Sequence, residues 1–245
     1  MRHIWDHTMP TMGDLPVQLV ETSPRLRTIQ KQRIKAVSIA WHDDVQSLPN
    51  AAVFGVANEF FDALPIDQAV WRQGAWRHRL VTTVHGALGF IDGPALNASE
   101  LASWRITNDH QDMTEGSIAE YCPAAEPIMR QMAGRIARHG GACLIIDYGK
   151  NDNFSDSMQA VSAHKPVDLF YQPGNADISH WVDFAALRRA AINMDARFFG
   201  PVTQADFLMA IGLRERAENA ARFCDADGRR ALFAAVDRLV GAHHM

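Results

Sequence analysis

Short apolar runs that end in polar residues are typical of buried parallel strands. Three such runs stand out along the chain, at residues 17–20, 52–57 and 142–146. Each is too short for a buried helix and is followed at once by polar or turn residues. The pattern therefore predicts three parallel strands in one sheet.

Between and after these runs, capping residues and helical periodicity predict helices. Ser23 precedes Pro24, which suits the first helical position, and a helix following Pro123 is expected to end at Gly140. Two further helices are predicted after Asp183 and Thr203, and residues 214–240 are expected to hold two more with a break at Asp227 and Gly228. Alternating strands and helices predict an α/β fold, with helices on both faces of a mostly parallel sheet.

Residues 68–91 follow a different pattern. Apolar and aromatic stretches are separated by Gly74 and Gly86, which predicts a β-meander with turn glycines. We interpret it as an insertion in a single domain that spans residues 1–245. Residues 151–177 are polar and are expected to form a loop.

Composition narrows the function classes. The net charge is −4, without the basic excess expected of a nucleic-acid binder. No apolar run has the roughly 20 residues that a membrane span requires. Three well-separated cysteines predict a reducing, cytoplasmic location, and the 11 histidines show no metal-ligand spacing, so no metal is expected.

Acidic or amide side chains end all three predicted strands. Glu21 follows the first, Asn58 and Glu59 follow the second, and Asp147 follows the third. Ligands of open α/β sheets bind beyond the carboxyl ends of the strands, and one carboxylate can accept both hydroxyls of a ribose. Acids at strand ends also cap the turns that follow them, and spacing alone leaves both interpretations open.

Residues 58–65, here called the acidic turn, read Asn-Glu-Phe-Phe-Asp-Ala-Leu-Pro. If a helical turn forms, Glu59 and Asp62 lie at positions i and i+3 on one face. Paired carboxylates can hold a guanidinium group in bidentate fashion. The alternative is a capped turn that buries Phe60 and Phe61 in the core.

Several motifs resemble one known family. They are the acidic turn, 21–24 (Glu-Thr-Ser-Pro), 41–44 (Trp-His-Asp-Asp), 120–125 (Glu-Tyr-Cys-Pro-Ala-Ala) and 147–149 (Asp-Tyr-Gly). Together they resemble the S-adenosyl-L-methionine (SAM) dependent methyltransferases that include the mitochondrial complex I assembly methyltransferase and its bacterial relatives. The resemblance implies a Rossmann-like sheet, SAM as cofactor, and methylation of arginine nitrogen on a protein substrate.

The resemblance also implies roles for individual residues. Glu21 would hold the SAM ribose, Asp43 would lie near the adenine, and Asn58 would line the SAM edge. Glu59 and Asp62 would be the catalytic pair that grips the substrate guanidinium.

The sequence departs from the family at its start. Family members place a strand and a glycine-rich loop before the segment that begins here at Val17, whereas Gly13 stands alone. We therefore expect the sheet to lack its first strand and that loop, and a homodimer contact or a partner to cover the gap.

Smaller differences from the family pattern also indicate a possible loss of catalysis. His78, Trp181 and the segments 151–153 and 155–158 differ from the usual family residues. An alternative function is accordingly a non-catalytic binding or assembly factor, derived from such an enzyme, that has lost its cofactor pocket.

Overall fold

Residues 16–34, 38–106 and 113–241 are described by the structure, a computed structural model. The chain divides into two compact units, Met1–Phe198 and Phe199–Met245. The organisation of residues 1–245 as a single domain stays a prediction.

Thirteen strands and seven helices are found in the described residues. The strands are β1 (Val17–Val20), β2 (Ile39–His42), β3 (Val53–Asn58), β4 (Asp67–Arg72), β5 (Ala75–Val84), β6 (Ala87–Ala95), β7 (Ile118–Tyr121), β8 (Gly141–Ile146), β9 (Gly149–Lys150), β10 (Gln159–Ser162), β11 (Lys165–Val167), β12 (Asp177–Ser179) and β13 (Val182–Asp183). The helices are α1 (Pro24–Arg33), α2 (Ala98–Ser103), α3 (Ala125–His139), α4 (Phe184–Ile192), α5 (Gln204–Ala210), α6 (Leu213–Ala221) and α7 (Ala226–Val240).

The three strands predicted from apolar runs are β1, β3 and β8, and each is parallel to its neighbour. β1 pairs with β2, and β3 pairs with β8 from Val53 opposite Gly141 to Asn58 opposite Ile146. In the described residues these are two separate two-stranded sheets, not one continuous sheet. The polar residues that were expected at one edge of a single sheet therefore lie at the ends of two separate strand pairs.

Helix starts follow the predicted caps. The Ser23 hydroxyl accepts a hydrogen bond from the Leu26 amide, and Asp183 and Thr203 cap α4 and α5 in the same way. α3 ends at Gly140, whose φ of +81° is the left-handed conformation that favours glycine. Local capping chemistry therefore sets most helix boundaries.

An antiparallel sheet in the order β6-β5-β4-β7 occupies the predicted meander region. Trp71 lies opposite Trp76 across the β4–β5 turn, and both belong to a core cluster with Trp104. Gly74 and Gly86 supply positive φ angles at the two hairpin turns. The interpretation of this sheet as an insertion in the family fold stays a prediction.

Two local predictions were wrong. Residues 151–177 contain β10 and β11, joined through Ala163 and His164 at φ angles of +49° and +61°. Such a turn usually uses asparagine or glycine, so this sequence lacks the expected hairpin signal. The break between the last two helices was expected at Asp227 and Gly228, but α7 already begins at Ala226. Asp225 is its N-cap, and the Asp225 carboxylate accepts a hydrogen bond from the Gly228 amide at 2.8 Å.

The main core lies between the β3–β8 pair and helices α3 and α4. Its buried members include Phe61, Met129 and Leu187, and Ala57 and Ile145 pack against them from the two strands. The opposite face of the pair is apolar but open, since Phe54 is 81% and Val56 is 71% exposed. One face of this sheet is therefore covered and the other is not.

Arg135 ties the segment after β2 to helix α3. Its buried guanidinium donates to the backbone oxygens of Val45, Gln46 and Pro49 and to the side chain of Asn50. A buried charge needs such a set of partners.

Among the described residues, no helix has the length and hydropathy needed to cross a bilayer.

Candidate functional site

Asn58, Glu59 and Asp147 meet at the carboxyl end of the β3–β8 pair. Asn58 lies opposite Ile146 in the parallel register, and the Glu59 amide donates to the Ile146 carbonyl at 2.9 Å. Asp147 follows Ile146 directly. The structure therefore brings these three residues to one edge, as the strand directions predicted.

The acidic turn is held by Asp147. Its Oδ2 atom accepts hydrogen bonds from the amides of Phe60, Phe61 and Asp62 at 3.2, 2.9 and 3.3 Å. The Tyr148 amide donates to the other carboxylate oxygen at 3.0 Å. Three successive amides thus converge on one oxygen of Asp147.

The expected helical turn does not form. Glu59 adopts a φ of +47°, and the Leu64 amide closes a short turn on the Phe61 carbonyl at 3.3 Å. Phe61 is buried in the core, as the structural alternative proposed. Glu59 and Asp62 are nevertheless close enough for the Glu59 charge to raise the pKa of Asp62.

Asp62 is the buried carboxyl of the site, with 6% of the residue exposed. Burial raises its pKa to about 6, and the charges of Asp147, Glu59 and Asp177 act in the same direction, whereas His180 opposes them. A carboxyl with this pKa exchanges its proton close to neutral pH, which suits a proton acceptor.

His180 closes the other side of the turn. Its amide donates to the Asp62 carbonyl at 3.1 Å, and its ring nitrogens lie 3.1 Å from the Leu64 carbonyl and 2.9 Å from the Trp181 carbonyl. Carbonyl oxygens only accept, so both ring contacts are hydrogen bonds only when each nitrogen carries a proton. This residue escaped the sequence predictions because it has no motif of its own and lies 118 positions from Asp62 in the chain.

Tyr148 extends the site at the surface. The charge of Glu59 is the largest cause that raises the pKa of the Tyr148 hydroxyl, and burial and a hydrogen bond to the Glu59 side chain add to it. Tyr148 is 58% exposed, so its ring is open to a ligand. The sequence signal was the 147–149 motif, from which only Asp147 was singled out.

Glu21 and Asp43 lie together at the carboxyl end of the β1–β2 pair. The Arg27 guanidinium donates to the Glu21 carbonyl at 2.5 Å and to Asp43 Oδ1 at 2.6 Å. The two Glu21 carboxylate oxygens accept from the Ser23 amide and the Gln30 side chain. Each carboxylate oxygen has two acceptor positions, so Glu21 keeps capacity for a further hydroxyl.

A shallow, open cleft lies beside the acidic turn, with Phe61 and His180 in its wall. Trp104 and Tyr121 stack there with centroids 5.4 Å apart. Glu126, Arg105 and Arg189 add charges of both signs. Charged and aromatic side chains therefore line the surface next to the turn.

Among the residues that the structure describes, no group of three or more histidine, cysteine or acidic side chains is placed to hold a metal ion.

A mixed α/β fold with acidic groups beyond parallel strands is typical of proteins that bind ligands at the carboxyl ends of their strands. Residues 1–202 match a family whose description reads "Putative S-adenosyl-L-methionine-dependent methyltransferase". The chain belongs to this family. The methyltransferase class and the SAM cofactor that the resemblance implied are thereby confirmed for the family.

Curated relatives agree with this family. The protein arginine methyltransferase NDUFAF7 of Xenopus tropicalis is 35% identical over 225 residues, covering 82% of this chain and 51% of that protein. The human protein of the same name is 31% identical over 229 residues, with 83% and 50% covered. The chain thus spans about half the length of the curated relatives that it matches.

Two solved structures from Burkholderia thailandensis share the fold. One has a TM-score of 0.76 at 26% identity and covers 93% of this chain and 63% of its own. The other was solved with S-adenosyl-homocysteine bound and has a TM-score of 0.79 at 24% identity, with 99% and 64% covered. The mixed α/β architecture is therefore that of the solved structures.

The predicted cytoplasmic location is wrong, because the curated relatives are named as mitochondrial proteins. Well-separated free cysteines indicate only that disulfides are not used. They do not distinguish one reducing compartment from another.

Proposed function

We propose that this chain is a SAM-dependent methyltransferase that methylates an arginine nitrogen on a protein substrate. The observation that carries the proposal is the buried Asp62 carboxyl, placed with Glu59 at the carboxyl end of two parallel strands. The names of the curated relatives support the choice of arginine.

The residues present fit the cofactor. Glu21 is the proposed partner of the ribose hydroxyls because its carboxylate has unused acceptor positions. Asp43, whose side chain is 83% exposed, is proposed to lie near the adenine, and the exposed Asn58 is proposed to line the SAM edge. When bound, SAM supplies an electrophilic methyl group on its sulfonium sulfur.

Glu59 and Asp62 are proposed to bind the substrate guanidinium. Arginine is protonated at neutral pH and is a poor nucleophile in that form. A carboxylate beside the group localises its positive charge on the other nitrogens. As the N–CH₃ bond forms and the S–CH₃ bond breaks, the attacking nitrogen releases a proton, which ionised Asp62 accepts.

Departures from the family pattern have structural partners here. The Ser155 and Ser157 hydroxyls donate to buried Glu120 at 2.7 and 2.5 Å, and His78 lies 3.1 Å from Glu100. The Trp181 amide donates to the Ser157 hydroxyl at 2.8 Å. These residues are integrated into the fold by hydrogen bonds.

The uncovered face of the β3–β8 pair supports the proposal of a further chain that packs against this sheet. Phe54 and Val56 would be buried if a further strand or helix layer completed the sheet. We therefore propose that a second copy or a partner chain covers this face.

Calorimetric titration with SAM, followed by methyl transfer to an arginine-containing protein substrate, tests the function. We expect measurable SAM affinity and methylarginine in the product, detected by mass spectrometry. Absence of SAM binding at millimolar concentration would favour the non-catalytic alternative. Binding with methylation of another residue type would overturn the arginine assignment alone.

A further inference from the structure

Asp147 is the residue on which the backbone of the acidic turn is organised. One of its carboxylate oxygens accepts from three successive amides that lie 85 to 87 positions away in the chain. Converging amides of this kind form a concave, anion-binding nest, and here the protein itself supplies the anion. The side chain therefore determines the path of the turn from Phe60 to Asp62.

The path of the turn determines where the two proposed catalytic carboxylates lie. Glu59 is in the left-handed region, which is unfavourable for a non-glycine residue and persists only when the surroundings impose it. Asp62 itself carries the third of the bonded amides. Without the Asp147 bonds, nothing in the local sequence favours this conformation.

We propose that Asp147 is a positioning residue, which places Glu59 and Asp62 for the substrate guanidinium by gathering the amides of residues 60–62. Its catalytic consequence rests on the proposed function, whereas its effect on the turn does not.

Asp147 also acts on Asp62 through its charge. The ionisable groups that face Asp62 are Asp147 and Glu59, which favour its protonated form, His180, which favours its ionised form, and Asp177 on β12, which favours protonation. Removal of the Asp147 charge should therefore lower the pKa of Asp62. If the Asp147 charge does not act on Asp62, that pKa will stay unchanged.

Amide hydrogen exchange in Asp147→Asn tests the positioning. The isosteric amide oxygen is a weaker acceptor than a carboxylate, so exchange at Phe60, Phe61 and Asp62 should accelerate at least tenfold. Amides of α3 and β8 should not change. The matched control is Asp225→Asn, which makes the same replacement at a carboxylate that accepts a backbone amide in the Phe199–Met245 unit.

The wild-type chain gives a second, independent readout. The amides of residues 60–62 should exchange more slowly than the exposed Ala63 amide in the same turn. Equal exchange at all four positions would overturn the proposal even if Asp147→Asn did not fold. Unchanged exchange at residues 60–62 in a folded variant would overturn it as well.

The pH dependence of methyl transfer connects the two proposals. In Asp147→Asn, kcat should fall roughly 10- to 100-fold through misplacement of the carboxylates, with SAM affinity within twofold of wild type. The acidic limb of the pH–rate profile should move to lower pH. If the wild-type chain shows no turnover, the proposed function fails. The expected decrease in the Asp62 pKa is then measured directly by NMR of the Asp62 carboxyl group. A pKa that does not move would refute the electrostatic part.

Discussion

Asp62 combines three properties that seldom occur together in a surface turn. It is almost fully buried, it has acidic neighbours on both sides, and its backbone carbonyl is fixed by the His180 amide. Burial and like charges both favour its protonated form, and this places its proton exchange near neutral pH. The residue is therefore suited to accept a proton from a bound cation.

Asp62→Asn should remove methyl transfer while the fold is retained. An amide cannot accept the proton released by the guanidinium, and general bases contribute on the order of 100-fold or more to rate. Initial rates with saturating SAM measure the effect, and calorimetry should show SAM affinity close to wild type. Asp177→Asn is the control, because it removes an exposed charge near Asp62 without touching the buried site. Normal turnover by Asp62→Asn would exclude Asp62 from the mechanism.

The raised pKa of Asp62 predicts that the stability of the folded chain depends on pH. The pKa of Asp62 is about 6 in the folded chain and 3.8 for an unperturbed side chain, so the folded state holds a proton that the unfolded state has lost between these values. Its contribution to stability is therefore present below about pH 4 and is lost as the pH rises through about 6.

Asp62→Asn, which stays neutral, should gain stability relative to wild type as the pH rises from about 4 to 7.5. Urea unfolding at both pH values measures the free energies of unfolding. The exposed Asp168→Asn should show no such trend. A stability difference that does not depend on pH would show that the Asp62 carboxyl is not perturbed in the fold.

At the scale of elements, the closest approach in the β3–β8 pair lies at its beginning. Gly141 has a φ of +111°, and a Cβ atom there would lie 2.0 Å from the Val53 carbonyl oxygen. The two strands can therefore start together only with glycine at this position. The register that begins here ends at Asn58 and Ile146, so the start of the pair determines the location of the site.

Gly141→Ala should destabilise the chain by roughly 3–5 kcal/mol, because left-handed strain and a backbone clash add together. The matched variant is Gly174→Ala, whose φ is +90° but whose Cβ would meet no atom within 4 Å. It should lose only about 1–2 kcal/mol. Equal losses in denaturant unfolding would mean that the β3–β8 contact is not as close as described.

At the scale of the whole molecule, the described chain leaves an apolar sheet face uncovered. Phe54 and Val56 are continuous with Leu144 and Ile146, which are 39% and 37% exposed on the same face. Parallel sheets are normally covered on both sides. Exposed apolar faces promote association between chains.

Phe54→Ser combined with Val56→Thr should reduce concentration-dependent association of the chain. Sedimentation velocity over a concentration series measures the weight-average mass. Phe223→Ser serves as the control, because Phe223 is 93% exposed but belongs to the Phe199–Met245 unit. The interpretation fails if the double variant associates as strongly as wild type, or if Phe223→Ser has the same effect.

Local patterns in the sequence were enough for the strands β1, β3 and β8, for the caps at Ser23, Asp183 and Thr203, and for the family. The strands and caps depend on the hydrophobicity or hydrogen bonding of a few adjacent residues. The family was recognised from several short motifs spread along the chain. The hairpin of β10 and β11 was missed because its turn residues, Ala163 and His164, carry no turn signal.

Tertiary structure decided which distant groups meet. The sequence by itself determined that acids follow strands, but not that Asp147 would bond the amides of residues 60–62 or that His180 would face Asp62. Those contacts depend on strand register and on packing between segments far apart in the chain, and neither is encoded in local propensity. The same physics buried Asp62 and raised its pKa, so its chemistry is a property of the fold and not of the motif.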